Sequence, residues 1–197
     1  MITERDREII DFIYDIGFAT IKHIADLFFT NATYKQDLAR KRLRKILKTN
    51  EYIKVIKNQT TNESVYLPID SKIKNVSMHN LKILDYACEL KRLGVNIERI
   101  QIEPNYCDIR PDASVIFTFN GCRYYQLLEV QCRHAMVDID RYSSQNVIQA
   151  ILNDNENIAP NIIIIQNTNK NYSENNVTPF DIVQLDLSLN ELAKVLI

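Results

Sequence analysis

Near Asn50 the spacing of apolar residues changes from about 3.6 to about 2, and this break constrains the fold more than any other feature of the chain. Before it, three helices are expected. Thr3 is placed to cap one that runs to about Ile16, because Ile9, Phe12, Ile13 and Ile16 fall on one face, and Gly17 ends it. A short second helix follows Thr20, with Ile21, Ile24, Leu27 and Phe28 on one side. Asn31 to Thr33 is expected as a turn with a cap, and a third helix runs from Tyr34 to about Lys48. Its inner face is Ala39, Leu43, Ile46 and Leu47; its outer face is Gln36, Arg40, Lys41, Arg44, Lys45 and Lys48. After the break, residues 52–57 read as a strand, 58–63 as a polar turn and 64–67 as the return strand, stopped by Pro68. Three helices followed by a hairpin predict a winged helix-turn-helix over residues 1–70.

Charge marks the same region. Residues 35–57 carry nine Lys/Arg against Asp37 and Glu51, a net of +7, on a chain whose overall charge is −1. Residues 153–197 carry two lysines against six acids, a net of −4. A cationic block on a near-neutral chain is the local footprint of a polyanion surface. A major groove admits one helix, so Thr33, Tyr34, Lys35, Gln36 and Arg40 at the start of the third helix are the candidates for base edges. Gln suits adenine and Arg suits guanine, each making two bonds at once. Lys41, Arg44, Lys45 and Lys48 are the candidates for phosphate, and Lys54, Lys57 and Gln59 on the hairpin for backbone or minor groove.

Residues 71–77 read as a polar linker before a second domain at 78–197. A helix is expected over about 80–93, stopped by Gly94, then strands over 95–103, 112–119 and 124–132. Asn120-Gly121 marks a tight hairpin between the last two. A helix over about 138–153 precedes Ile162–Ile165, an apolar run suited to a strand buried on both faces. A polar loop over 167–178, a strand over 181–187 and a helix over 188–197 complete the chain. The order α-β-β-β-α-β predicts a mixed sheet flanked by helices, so the fold class is α+β or α/β. Antiparallel pairing across Asn120-Gly121 brings Asp112 beside Glu129, with Gln131 on the same face as Glu129. Two carboxylates so placed suit Mg²⁺, which would activate water against a phosphate.

Several classes are excluded. Three glycines and no phosphate-loop pattern argue against a nucleotide-binding enzyme. The four cysteines form no C-x-x-C pair and the three histidines are scattered, which argues against zinc. No apolar run of membrane-spanning length and no export signal are seen, so a cytoplasmic protein with reduced thiols and no membrane partner is expected.

The second-half pattern, Pro111-Asp112 on one strand and Glu129-Val130-Gln131 on the next, resembles the PD-(D/E)XK nuclease superfamily. That resemblance implies metal binding by Asp112 and Glu129, with Gln131 where the superfamily places its lysine. Over about residues 3–142 the chain resembles the replication-relaxation family. The residues that carry the likeness are Thr3, Asp6-Arg7-Glu8-Ile9-Ile10, Gly17-Phe18-Ala19-Thr20-Ile21, Leu27-Phe28-Phe29, Ala39 to Leu47, Pro111-Asp112-Ala113 and Glu129-Val130-Gln131. It implies sequence-specific binding of double-stranded DNA on a bacterial plasmid, conjugative element or phage. The role would be accessory to replication or transfer, alongside proteins of that machinery, or in transcriptional regulation, with a homodimer plausible for paired half-sites. Gln131 stands where the family shows Asp, so the second domain is expected to lack cleavage and need no cofactor. The alternatives are a Mg²⁺-dependent endonuclease using Asp112, Glu129 and Gln131, and an adaptor that binds proteins only.

Overall fold

The hydroxyl of Thr3 accepts the Asp6 N–H at 3.3 Å, and the Asp6 carboxylate accepts the Thr3 N–H at 2.9 Å. This reciprocal cap starts α1 (Glu4–Ile16), and Gly17, at φ 90°, ends it in the left-handed conformation. In the computed structural model, which describes residues 2–49, 51–133, 136–167, 171–172 and 177–196, the next element is a two-residue strand, β1 (Ala19–Thr20). Two residues display no period, so this strand is invisible to pattern reading. Thr20 then caps α2 (Ile21–Phe28), its hydroxyl accepting the His23 N–H at 3.3 Å. Helix α3 spans Lys35–Leu47, and the hairpin is β2 (Ile53–Lys57) and β3 (Ser64–Pro68). Strand β3 lies between β1 and β2, antiparallel to both. Ile9, Ile13, Ile24, Leu43, Ile46 and Ile53 close the core beneath.

Residues 71–77 do not form a free linker. Asn58 Nδ2 donates to the Val76 carbonyl at 2.6 Å, Asn75 Oδ1 accepts the Gln59 N–H at 3.0 Å, and Lys54 Nζ donates to the Ser71 carbonyl. Val76 is buried. These bonds satisfy polar groups that the hairpin turn leaves open and fasten the segment to it. Helix α4 (Met78–Arg92) then packs on α2. The chain accordingly divides into two compact units, Met1–Arg92 and Leu93–Ile197, with α4 in the first rather than the second.

Asp85 fixes α4 to α2. It accepts from Lys22 Nζ at 2.6 Å and Lys82 Nζ at 3.1 Å, with His23 Nε2 at 3.5 Å. Burial pushes the Asp85 carboxyl up, but the hydrogen bonds from His23 and Lys22 and the charges of Lys22 and Lys82 outweigh it, leaving the group well below the usual carboxylate range. A depressed folded pKa stabilises the fold fully above the unfolded value of about 4, and that contribution fades as pH falls from there toward the folded value. Asp85→Ala is therefore expected to cost about 2 kcal/mol at pH 7, with the deficit shrinking below about pH 4. Calorimetric melting of both proteins from pH 7 to pH 3 checks this; a deficit independent of pH would contradict it.

The second unit is a five-stranded mixed sheet in the order β4 (Asn96–Ile102), β5 (Ala113–Phe119), β6 (Cys122–Gln131), β7 (Asn161–Gln166) and β8 (Ile182–Leu185). The first three strands are antiparallel, and the β6–β7 and β7–β8 pairs are parallel. Asn120 and Gly121, at φ 51° and 79°, make the two-residue turn between β5 and β6. Ile162 to Ile165 are fully buried, as expected for a strand covered on both faces. Helix α5 (Gln145–Asp154) covers one face through Val147 and Ile151, against Ile116, Tyr125, Leu127, Ile162 and Ile164. The β6-to-β7 crossover runs through α5, as a parallel pair requires.

Two expected helices differ. The one expected over 138–153 is a short 3-10 turn (Asp140–Tyr142) followed by α5. The one expected at the end is a 3-10 turn over Leu192–Leu196. There Ser188 Oγ donates to Asp186 at 2.6 Å, Asn190 donates to Ser188 Oγ at 2.6 Å, and Leu189 takes φ 60°. Local side-chain bonds thus displace the helical start. The expected loop at 167–178 lies largely outside the described residues. The whole is a mixed α+β protein: N-terminal helices with a small three-stranded antiparallel sheet, then a five-stranded mixed sheet with helices. No helix among the described residues is long and apolar enough to cross a membrane.

Candidate nucleic-acid interface

Helix α3 buries Ala39, Leu43 and Ile46, a spacing of four and three that leaves the opposite face to solvent. Arg44 and Lys45 in its last turn are favourable to the helix dipole. Its start is less regular. Thr33 was expected near the cap, but Tyr34 occupies the cap position, makes no side-chain capping bond and is 74% exposed.

The cations of α3 fall into two sets. Four are tied to carboxylates. Lys35 Nζ lies 2.5 Å from Asp26, and Arg40 Nη1 lies 2.6 Å from Asp37. Arg42 Nη1 and Lys45 Nζ each lie 3.6 Å from Asp6. The other two, Lys41 and Arg44, together with Lys48 at the C-cap, are exposed and have no ion-pair partner among the described residues. Their spacing of three and four places them in one stripe along the outward face.

Two buried carboxylates hold this helix in place. Asp26 on α2 takes Lys35 at the start of α3 and also Arg92 Nη2, at 2.9 Å, from the end of α4. Asp6 on α1 reaches the second half of α3 through Arg42 and Lys45 while serving the Thr3 cap. Burial pushes the Asp6 carboxyl up, but the Thr3 hydrogen bonds and the two cations outweigh it and hold it below its ordinary value. The helix that carries the free stripe is thus positioned by charge as well as by its apolar face.

On the hairpin, Lys57 and Gln59 are exposed, with Lys57 Nζ 3.3 Å from the Asn62 carbonyl. Lys54 is half-buried and turned to the Ser71 carbonyl. Of the residues expected to face nucleic acid, Thr33, Tyr34, Gln36, Lys41, Arg44, Lys48, Lys57 and Gln59 are exposed, while Lys35, Arg40, Lys45 and Lys54 are half-buried and engaged within the unit.

In the second unit, Ala113 pairs with Leu128, so Asp112 stands opposite Glu129. The Val130 N–H donates to Asp112 Oδ2 at 2.6 Å, and the Asp112 N–H donates to the Leu128 carbonyl at 3.0 Å. Glu129 is 2% exposed, and its Oε1 accepts from both Arg141 Nη2 and the Tyr142 hydroxyl. Burial raises the Glu129 carboxyl despite Arg141, with the Asp112 charge adding to the rise. Gln131 lies half-buried opposite Gln166 of β7, and Arg133 lies beyond the strand, exposed. The residues fit Mg²⁺ poorly. The inner oxygen of Glu129 already carries a guanidinium and a phenol, and no group of three His, Cys, Asp or Glu among the described residues is placed to hold a metal.

Arg141 and Tyr142 were not legible as partners of Glu129. The signal available is an Arg-Tyr pair next to a strand-to-helix connection, and such pairs are common on surfaces. The chain matches no protein-family model, no curated protein and no solved structure.

Proposed function

We propose that this chain is a sequence-specific double-stranded DNA-binding protein of a bacterial mobile element, with a winged helix-turn-helix at its N-terminus. It would act as an accessory factor in replication or transfer, or as a transcriptional regulator. The observation that carries the reading is the stripe of Lys41, Arg44 and Lys48, free of carboxylates among the described residues, on a helix whose other cations are internally paired. The order α1-β1-α2-α3-β2-β3, with β1 paired to β3, supports the winged arrangement. In it α3 enters the major groove, Gln36 and Arg40 face base edges, and Lys41, Arg44, Lys48 and Lys57 face phosphates.

The two units differ in charge. The first carries 17 Lys/Arg against 12 Asp/Glu, a net of +5; the second carries 7 against 13, a net of −6. The second unit resembles the PD-(D/E)XK nucleases in its strand order, and its Asp112–Glu129 pair is taken up by internal bonds. We read it as a non-cleaving relative of that fold, whose acidic surface favours protein contacts over DNA. Those contacts would be with a second copy or with replication or transfer proteins.

The test is selection of bound sites from random duplex, run with and without Mg²⁺ and across salt. A preferred site is expected, uncut in Mg²⁺. With about four phosphate contacts, affinity should fall roughly 100-fold between 50 and 200 mM salt. Absence of duplex binding at low salt would overturn the proposal, and cleavage that requires Asp112 or Glu129 would replace it with the endonuclease reading.

A further inference from the structure

We propose that Asp37 is a specificity-determining residue, which fixes the Arg40 guanidinium for a guanine and rejects other bases at that position; this rests on the DNA-binding reading above. Asp37 is the one acid within α3. It is 61% exposed at its side chain, and its spacing of four from Lys41 places it on the same stripe as Lys41, Arg44 and Lys48. A carboxylate on that stripe faces phosphate and lowers affinity for every duplex alike. Discrimination between sequences would offset that loss.

The geometry supplies that discrimination. Arg40, one turn after Asp37, donates through Nη1 to Asp37 Oδ1 at 2.6 Å. A guanidinium has five N–H groups in a rigid fork, so one bond to Asp37 leaves enough for the paired bonds to guanine O6 and N7. The anchor also restricts a long side chain before it meets DNA, which lowers the ordering cost of the contact. Held this way, Arg40 has less freedom to swing to a neighbouring phosphate, where it would add affinity without information. Against adenine or thymine the same fixed fork finds at most one acceptor in register, and a mismatch of this kind costs about 1–3 kcal/mol, roughly 5- to 150-fold.

A rival role is local. Asp37 is the third helical residue of a helix that lacks a side-chain cap, and an acid there is favoured by the helix dipole. That role predicts a lower melting temperature on substitution and unchanged base preferences.

The experiment is bound-site selection from random duplex with the full-length wild type, Asp37→Asn, Asp37→Glu and Arg40→Ala, together with thermal melting of each. Asp37→Asn is expected to bind random duplex as tightly as the wild type or a few-fold tighter. It should lose most of its preference at one base pair, and that position should be the one at which Arg40→Ala loses guanine. Asp37→Glu, which keeps the carboxylate, should retain part of it. If Asp37→Asn keeps every preference and changes only affinity or melting temperature, the proposal is wrong while the DNA reading stands. If the wild type binds no duplex, the DNA reading falls and takes this inference with it.

Discussion

Replacing Arg40 and Arg44 together by alanine is expected to weaken binding to the preferred duplex about 100-fold at physiological salt. The two residues contribute differently. Loss of a paired Arg–guanine contact removes about 1–3 kcal/mol, and every 1.4 kcal/mol is tenfold. Loss of the Arg44 phosphate contact should reduce the slope of log affinity against log salt by about 0.9. The single variants should therefore separate: Arg40→Ala flattens one position of the selected site, whereas Arg44→Ala weakens all sequences alike. Lys35→Ala is the internal control. Its ammonium is 2.5 Å from buried Asp26, so its loss should lower the melting temperature more than it lowers DNA affinity. Titration of labelled duplex at several salt concentrations, with thermal melting of each protein, measures all four. Unchanged binding by the double variant would remove α3 as the interface.

Arg141→Ala is expected to be the most destabilising single substitution in the second unit, at about 3–5 kcal/mol near neutral pH, because it strands a buried carboxylate. Glu129 is 2% exposed and keeps only the Tyr142 hydroxyl and the hostile charge of Asp112 when the guanidinium is removed. The pH dependence has a definite sign. The folded-state pKa of Glu129 is already raised by burial and rises further without Arg141, so the folded state binds the proton more tightly than the unfolded one. Stability is then greatest at pH below the unfolded value of about 4 and falls as pH climbs toward the folded value. The deficit of Arg141→Ala should therefore grow from pH 4 to pH 7. Adding Glu129→Gln should recover part of the loss at pH 7, because a neutral amide needs no counter-charge. The chain has no tryptophan, so calorimetry is the suitable readout. A deficit of under 1 kcal/mol, or one that shrinks as pH rises, would show that the Glu129–Arg141 pair does not hold this unit together.

Much of the architecture was readable because one-sided burial leaves a period in the sequence. Ile9, Ile13 and Ile16 mark α1, Ala39, Leu43 and Ile46 mark α3, and both hairpins, the one ended by Pro68 and the one turned at Asn120-Gly121, appear where those residues stand. The convergence of Asp112 and Glu129 was also readable, because a two-residue turn at Asn120-Gly121 sets the register of everything along the hairpin. Elements without a period were missed or misjudged. Strand β1 is two residues long, α4 is apolar enough to suit either unit, and the last turn is decided by Ser188 and Asn190 bonding locally.

The sequence by itself determined which residues are helical, which alternate, and where positive charge concentrates, since these depend on neighbours within a few positions along the chain. Tertiary structure decided most of the pairing of charges. Asp6, Asp26 and Asp85 each meet cations that lie from 36 to 66 residues away or on another helix, and Glu129 meets Arg141 across a strand-to-helix connection. Apart from a pair within one helix such as Asp37–Arg40, an ion pair depends on distance in space, which residue spacing does not encode. Of the seven cations from Lys35 to Lys48, four are taken by carboxylates in the folded chain, and Lys41, Arg44 and Lys48 are left as a stripe.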